Sequence, residues 1–404
     1  MYRKNAGNNK FLKELNQAHI MNLIRVNKAI SKIELSQMTG LSPTAIGSIT
    51  NELQTQGYIH ETIAGASTGG RPPRLLELKA GSYYSIGVDF DVDCLNIVLI
   101  DITGDIIYQN SSKVTDGNSP EKIFEMIDYL SYSAIGKCIS TKQKLLGIGV
   151  SIPGLIDRKN VEVIMVPNLG WRNINIKSYM QKYKDVPLYL ENESMASAIC
   201  ENWIGNCRGV ENFICINIKS GIGSGIFING GPYYGEGGTA GEIGHITVDE
   251  DGPKCGCGNF GCLETMASAG YIVKKAKKMV RQGMSSKLIN VEDIDNVSID
   301  DIVKAARGGD EALIGILKDS GRYLGIAIAT IVNMLNPQKI VIGKEFIKYA
   351  DIVLDTIKSV IVSKALKSPT SNLEIVASEI GERSSTIGAA LLPVKELFSV
   401  KNIY

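Results

Sequence analysis

The stretch Gly241-Glu242-Ile243-Gly244-His245 is followed, ten residues after its histidine, by Cys255-Gly256-Cys257, and then by Gly258-Asn259-Phe260-Gly261-Cys262-Leu263-Glu264. His245 is the only histidine beyond residue 60, and the three thiols fall within eight residues. One imidazole and three thiolates suit a tetrahedral structural zinc site, with glycines letting the backbone wrap tightly around the ion. The spacing Cys-x-Cys-x4-Cys differs from the common two-residue zinc spacing, so buried thiols beside an unrelated histidine stay open as a reading. Cys94, Cys138, Cys200, Cys207 and Cys215 are scattered singly and read as core or surface thiols. In a reducing compartment, clustering of the other three points to a metal rather than to disulfides. Glu242 and Glu264 bracket the cluster. A carboxylate that is to accept two ligand hydroxyls needs a rigid base, which a metal knot supplies.

Working outward, residues 213–217 are strand-like, the glycine-rich run Ser220-Gly221-Ile222-Gly223-Ser224-Gly225 reads as a loop, and 226–229 resume a strand. The same order occurs earlier. Residues 84–90 and 95–101 are strand-like, Gly104-Asp105 turns into a third strand, 120–137 are helical, and 145–151 form another apolar strand. A β-β-β-α-β order that recurs after about 130 residues predicts two related α/β lobes.

Upstream the pattern is helical. Ile20, Leu23, Ile24 and Val26 give a first helix an apolar face; Ser31-Lys32-Ile33-Glu34 looks like a capping box, and Gly40 supplies a left-handed stop. Ser42-Pro43 opens a third helix whose Ile46, Ile49 and Leu53 recur at helical spacing. Ser42, Thr44, Ala45, Ser48 and Asn51 lie on its other faces, small and polar as a helix entering a DNA major groove requires. A generic helical hairpin would share these features. After it, residues 57–61 look like a strand, Thr68-Gly69-Gly70-Arg71-Pro72-Pro73-Arg74 is a stiff basic turn, and Leu75, Leu76 and Leu78 resume a strand. That is a wing whose tip could carry Arg71 and Arg74 to phosphates or a minor groove, although an interdomain linker would read similarly.

Composition is compatible with this division. Among 404 residues, 44% are apolar and 21% charged, enough for two or three domains with sizeable cores. Residues 1–80 carry ten basic and five acidic side chains, whereas the remaining residues carry 33 and 37, so a basic head precedes a mildly acidic body. No run of about 18 apolar residues occurs and the first residues lack a signal peptide's apolar stretch, so a cytoplasmic protein without membrane contact is expected.

These motifs together resemble the ROK family of repressors and sugar kinases, and the likeness runs over nearly the whole chain. It rests on the 241–245 and 255–264 runs, the helical head, residues 69–74, Gly149-Val150-Ser151-Ile152-Pro153-Gly154, Pro167-Asn168-Leu169-Gly170-Trp171 and Leu335-Asn336-Pro337. The resemblance implies an α/β fold: a mainly helical winged helix-turn-helix (residues 1–80), then a two-lobed actin-like ATPase/sugar-kinase body (residues 81–195 and 196–404, the latter with the zinc site). It implies zinc held by His245, Cys255, Cys257 and Cys262, and a sugar held in a cleft by Asn192, Glu193, Glu242, His245 and Glu264. Residues 165–171, 191–196 and 251–255 are most similar to xylose-responsive members, which implies xylose or another aldose as effector. Double-stranded operator DNA is the expected macromolecular partner, bound by a homodimer or dimer of dimers.

Departures from the kinase pattern imply that this chain is not an enzyme and binds no ATP. Family kinases open their first lobe with an Asp-x-Gly-Gly-Thr turn that lets backbone amides approach phosphate; here the place is held by Asp89-Phe90-Asp91-Val92-Asp93, whose added carboxylates would repel a triphosphate. Near the adenosine site, paired glycines become Gly343-Lys344. Asn192 is followed by Glu193 instead of an aspartate base, a displacement that can cost about a hundredfold in rate. Two other readings remain: a sugar kinase of the ATP-dependent hexokinase type bearing a DNA-binding head, and a repressor with a vestigial pocket answering to a protein partner.

Overall fold

The computed structural model describes residues 9–63, 74–90, 94–114, 119–138, 144–284, 287–290 and 294–399. Arg71, at the expected wing tip, and Asp91, Val92 and Asp93 lie outside these described residues. The chain forms two compact units: the residues up to Glu193 together with those from Thr386 onward, and Ser194–Ser385.

The first unit begins with three helices, α1 (Asn9–Asn27), α2 (Lys32–Thr39) and α3 (Pro43–Thr55), and a small sheet of β1 (Ile30–Ser31), β2 (Ile59–Ile63) and β3 (Arg74–Leu78) in the order β1-β3-β2. Antiparallel pairing of Ile63 with Arg74 makes β2 and β3 the expected wing hairpin. Local chemistry sets the helix ends. The Ser31 hydroxyl accepts from the Glu34 N–H while the Glu34 carboxylate accepts from the Ser31 N–H, and Gly40 ends α2 at φ 70°. Ser42 accepts from the Ala45 N–H with Pro43 in the first turn. Ser31→Ala removes one half of that reciprocal cap, and a loss of about 1 kcal/mol is expected in urea unfolding followed by circular dichroism; an unchanged midpoint would mean the cap contributes nothing. The apolar face of α1 is rotated from the expected one: Ile20, Met21 and Ile24 are buried, Val26 is exposed, and Arg25 is buried in its stead.

The rest of this unit is a five-stranded sheet, order β11-β7-β4-β5-β6, of β4 (Tyr84–Phe90), β5 (Cys94–Asp101), β6 (Ile106–Lys113), β7 (Leu145–Ile152) and β11 (Leu188–Asn192). β4, β5 and β6 are antiparallel, while β7 and β11 run parallel to β4 and to each other. β4 reads as a continuous buried run because both faces are covered, whereas β6 (Ile-Ile-Tyr-Gln-Asn-Ser-Ser-Lys) is polar and blunts the sheet edge. Helix α4 (Pro120–Cys138) and a small sheet of β8 (Leu155–Asp157), β9 (Glu162–Val166) and β10 (Trp171–Asn175) complete the core, in which the buried Trp171 ring stacks on Phe90 at 5.3 Å. A short helix, α5 (Ile176–Tyr179), follows β10.

In the second unit the topology repeats. β12 (Phe213–Ile218), β13 (Ile222–Ile228), β14 (Gly231–Tyr233), β15 (Lys339–Lys344) and β16 (Glu374–Ala377) form a sheet in the order β14-β13-β12-β15-β16, three antiparallel strands and two parallel ones. α6 (Glu193–Trp203), α7 (Glu264–Ala267), α8 (Ala269–Arg281), α9 (Ile299–Arg307), α10 (Glu311–Leu335), α11 (Ala350–Lys364) and α12 (Lys367–Thr370) accompany it. The glycine-rich run expected as a loop is mostly strand: Gly223 and Gly225 lie within β13 and are small because a side chain there would collide with Ser194 and Ala198 of α6.

The sequence division assigned all of residues 196–404 to the second lobe. The last helix, α13 (Ser384–Leu397), instead joins the first unit from Thr386. Its backbone lies directly on β4 and β7, where a methyl at Gly87 or Gly149 would overlap Thr386 and Ala390, or the Ala389 carbonyl, and the Ser85 hydroxyl donates to the Ala390 carbonyl at 2.6 Å. The head also belongs to this unit. Lys79 N–H donates to the Tyr58 carbonyl (2.9 Å), the Tyr83 hydroxyl donates to the Gln56 carbonyl (2.8 Å), and the Tyr58 and Tyr83 rings meet at 4.9 Å. No described helix is long and apolar enough to cross a membrane.

Candidate functional site

In the second unit, a single helical turn, Ile243–His245, follows Glu242. Gly241 is required before it: its φ is 99° and a side chain would strike the Ser224 carbonyl, while the Ser224 hydroxyl donates to the Gly241 carbonyl at 2.8 Å. A knot then closes through Thr247 opposite Cys262 and Lys254 opposite Phe260, with the Cys255 N–H donating to the Asn259 carbonyl at 2.7 Å. Tyr323, on the long helix α10, donates its hydroxyl to Asp249 at 3.0 Å and moors the knot to the core.

One ligand-capable atom from each of His245, Cys255, Cys257 and Cys262 lies within 4.8 Å of the others. Cys257 Sγ is 3.7 Å from Cys262 Sγ, and Cys255 Sγ is 3.7 Å from His245 Nδ1. A tetrahedral ion with metal–sulfur bonds of about 2.3 Å separates its sulfurs by roughly 3.8 Å, so the four residues fit a bound metal ion. Burial pushes the Cys262 thiol up to about 12, the neighbouring thiols adding to it. Gathering three thiolates this close calls for a cation between them.

Glu264 begins α7 beside this knot. One of its oxygens accepts from the Ile222 N–H at 3.2 Å and the other lies 4.0 Å from Cys255 Sγ. Gly221 is small because a methyl there would crowd that carboxylate at 2.6 Å. Partial burial raises the Glu242 carboxyl above its usual range, His245 opposing and the Glu264 charge adding to the effect. Glu242, His245 and Glu264 thus share one electrostatic neighbourhood on a stiff support.

Asn192 and Glu193 belong to the first unit, at the end of β11 and the start of α6. The Asn192 side-chain amide donates to the Gly154 carbonyl at 3.1 Å. Its backbone N–H donates to the Glu191 carboxylate at 2.8 Å. Glu191 is buried and receives Arg158 in a forked pair, from Nε at 2.8 and 3.1 Å and from Nη2 at 2.6 Å. The sequence reading missed Arg158 and Glu191. The only available signal was a carboxylate on each side of Asn192, and nothing local tells which one turns inward.

Lys344 is fully buried at φ 61°, its ammonium donating to the Ser385 hydroxyl (2.5 Å) and the Glu382 carbonyl (3.0 Å). The side chain that stands in place of the second of the paired glycines is therefore built into the core of its unit. On the head, Ser42, Thr44, Ser48 and Asn51 are exposed and Ala45 half-exposed along α3, while Ile46, Ile49, Thr50 and Leu53 are buried. Arg74 is exposed and pairs with Glu61 at 2.9 Å, and Lys32 meets the same carboxylate at 2.8 Å.

The sequence profile described as ROK family matches residues 85–396. A xylose repressor of Caldicellulosiruptor bescii is 31% identical over 97% of this chain and 98% of its own length. The DNA-binding transcriptional dual regulator NagC of Escherichia coli K12 is 32% identical over 96% of this chain and 94% of its own. A crystal structure of a ROK family transcriptional regulator, homolog of the E. coli MLC protein, superposes with a TM-score of 0.82 at 29% identity, covering 96% of this chain and 97% of that one. The similarity to repressors includes the head, which lies outside the residues that the family profile matches.

Proposed function

Because the chain belongs to the ROK family, we propose that it is a sugar-responsive transcriptional repressor. One observation carries this reading: a single chain joins an exposed polar face on a capped α3 with the Glu242–His245–Glu264 group on its knot. Ser42, Thr44, Ala45, Ser48 and Asn51 would meet base edges and phosphates, with Arg71 and Arg74 on the wing. For Arg74 this means exchanging Glu61 for a phosphate oxygen. A homodimer, or a dimer of dimers, would place two heads on a palindromic operator.

The metal is zinc in this reading, held by His245 through Nδ1 and by the thiolates of Cys255, Cys257 and Cys262; its contribution is structural. Sugar hydroxyls would be held by Asn192, Glu193, Glu242, His245 (through Nε2) and Glu264. Xylose is the effector favoured by the xylose repressors among the relatives. NagC is 32% identical and the Caldicellulosiruptor bescii xylose repressor 31%, so overall similarity leaves the sugar to be measured. Phosphoryl transfer is not part of the reading, because Gly343-Lys344 replaces the family's paired glycines and Glu193 replaces the shorter base. For a sugar to act it must bind the operator-competent and operator-incompetent states unequally, and release is the sign proposed.

The test is calorimetric titration with xylose, glucose, N-acetylglucosamine and then ATP with magnesium, followed by fluorescence anisotropy on a palindromic duplex selected by the protein itself. The expected result is heat with one sugar, none with ATP, and weaker operator binding in that sugar. Sugar-dependent ATP consumption would replace this reading with the kinase, and unaltered operator affinity in every sugar tried would remove the coupling.

A further inference from the structure

Glu61, on β2, holds two cations at once. One carboxylate oxygen accepts from Lys32 Nζ at 2.8 Å and the other from Arg74 Nη1 at 2.9 Å. The register of the small sheet brings the three together. β3 runs antiparallel to both β1 and β2, with Ser31 opposite Leu75 and Glu61 opposite Leu76. Arg74 is therefore a diagonal neighbour of Glu61 on one face of the sheet. Lys32, the first residue of α2, reaches the same carboxylate from just past the end of β1. On that face Ile59 and Leu76 are buried while Ile63 and Arg74 are exposed, so Glu61 stands where the sheet leaves the core. The side chains of Lys32 and Arg74 are 38% and 61% exposed, against 22% for Glu61, so the cations can turn to an outside anion while the carboxylate stays. Hydrogen bonds from Lys32 and then Arg74 hold the Glu61 carboxyl below its usual range. Elsewhere in the head Lys13 meets Glu52 one to one, whereas two cations to one carboxylate leave a positive charge uncompensated. A carboxylate with one oxygen on each cation resembles, in charge and acceptor geometry, the two free oxygens of a backbone phosphate.

We propose that Lys32 and Arg74 form a two-pronged grip for one DNA backbone phosphate, and that Glu61 occupies this grip in the free protein as an internal competitor. The inference rests on the reading of the head as DNA-binding and adds Lys32 to its contacts. On a duplex, a phosphate takes the place of the carboxylate on both cations, and Glu61 is left beside it as a like charge. Every duplex meets that opposition alike, because backbone contacts carry no sequence information. Glu61 therefore lowers the head's hold on DNA of any sequence, and base-edge contacts from α3 must supply what an occupied site requires.

Fluorescence anisotropy of the full chain, on the selected operator and on a scrambled duplex of the same length, over a series of potassium chloride concentrations, tests this. Glu61→Gln removes the charge and keeps the shape, and binding to both duplexes is expected to tighten by about fivefold for each head. Lys32→Gln is expected to weaken both by a common factor. It should also make the fall of log affinity with log salt shallower by about 0.9 for each head bound. A bond that serves only stability would lower the unfolding midpoint of both variants and leave that slope at its wild-type value. An unchanged slope in Lys32→Gln, or equal or weaker binding by folded Glu61→Gln, overturns the proposal. Should Glu61→Gln not fold, the Lys32→Gln slope decides alone. A wild-type chain that binds neither duplex in the absence of sugar overturns the repressor reading and this inference with it. Wild-type binding with an unaltered slope in Lys32→Gln overturns this inference alone.

Discussion

Cys262→Ser is expected to leave the protein with less than about a tenth of the single zinc ion per chain expected of the wild type, and with no measurable sugar binding. Cys262 is fully buried, so neither water nor a second loop can replace the lost thiolate. A serine hydroxyl stays protonated there and is a poor ligand for zinc. Loss of outer partners alone weakens metal sites by about 10–100-fold, so loss of a direct ligand should exceed that. The consequence for sugar follows from the chain path. Cys262 pairs across the knot with Thr247, Glu264 lies two residues beyond it, and His245 is itself a ligand. Without the ion, both ends of the polar group lose their support. Operator binding in the absence of sugar should persist, because the head is in the other unit. Plasma mass spectrometry for zinc, calorimetry for sugar and anisotropy for operator separate these effects. Full zinc content with unchanged sugar affinity would show that the four residues are not the ligand set.

Gly149→Ala should be the most damaging single methyl in the first unit. The added carbon would overlap the Ala389 carbonyl, backbone against backbone, where no rotamer change gives relief. Overpacking of this kind costs about 3 kcal/mol, and more when the backbone must move. A matched control is Gly47→Ala in α3, which has nothing within 4 Å of the new methyl and should stabilise by about 0.5–1 kcal/mol through reduced chain freedom. Urea unfolding monitored by tryptophan fluorescence and by circular dichroism distinguishes them. If Gly149→Ala unfolds at the wild-type midpoint, α13 does not rest on β7 as described.

Much of this architecture was legible because its signals are local. The capping box at Ser31, the stop at Gly40, the Ser42-Pro43 start and the strand over 84–90 are each decided by neighbours in sequence, and each is where the residues place it. The His245–Cys262 cluster was legible for the same reason: its members are close in sequence as well as in space. What escaped depends on distant partners. Val26 and Arg25 are adjacent on α1, and only the packing at the end of the helix decides that arginine is the one buried. Glycines 223 and 225 read as a loop because their reason for being small is α6, pressed against them from about 27 residues upstream. The return of α13 and the burial of Glu191 belong to the same class, since neither Gly149 nor Glu191 carries a mark of its partner.

The discontinuity of the first unit sets an order in time. Ser194–Ser385 is one continuous stretch, able to complete its sheet and core as soon as it leaves the ribosome, whereas the unit bearing the head cannot be finished until the residues from Thr386 have been made. The head's own helices and wing are made first, yet the strut beneath them arrives last. A message broken just before residue 386 would therefore yield a chain whose second unit, with its His245–Cys262 knot, is complete while the head lacks its seat.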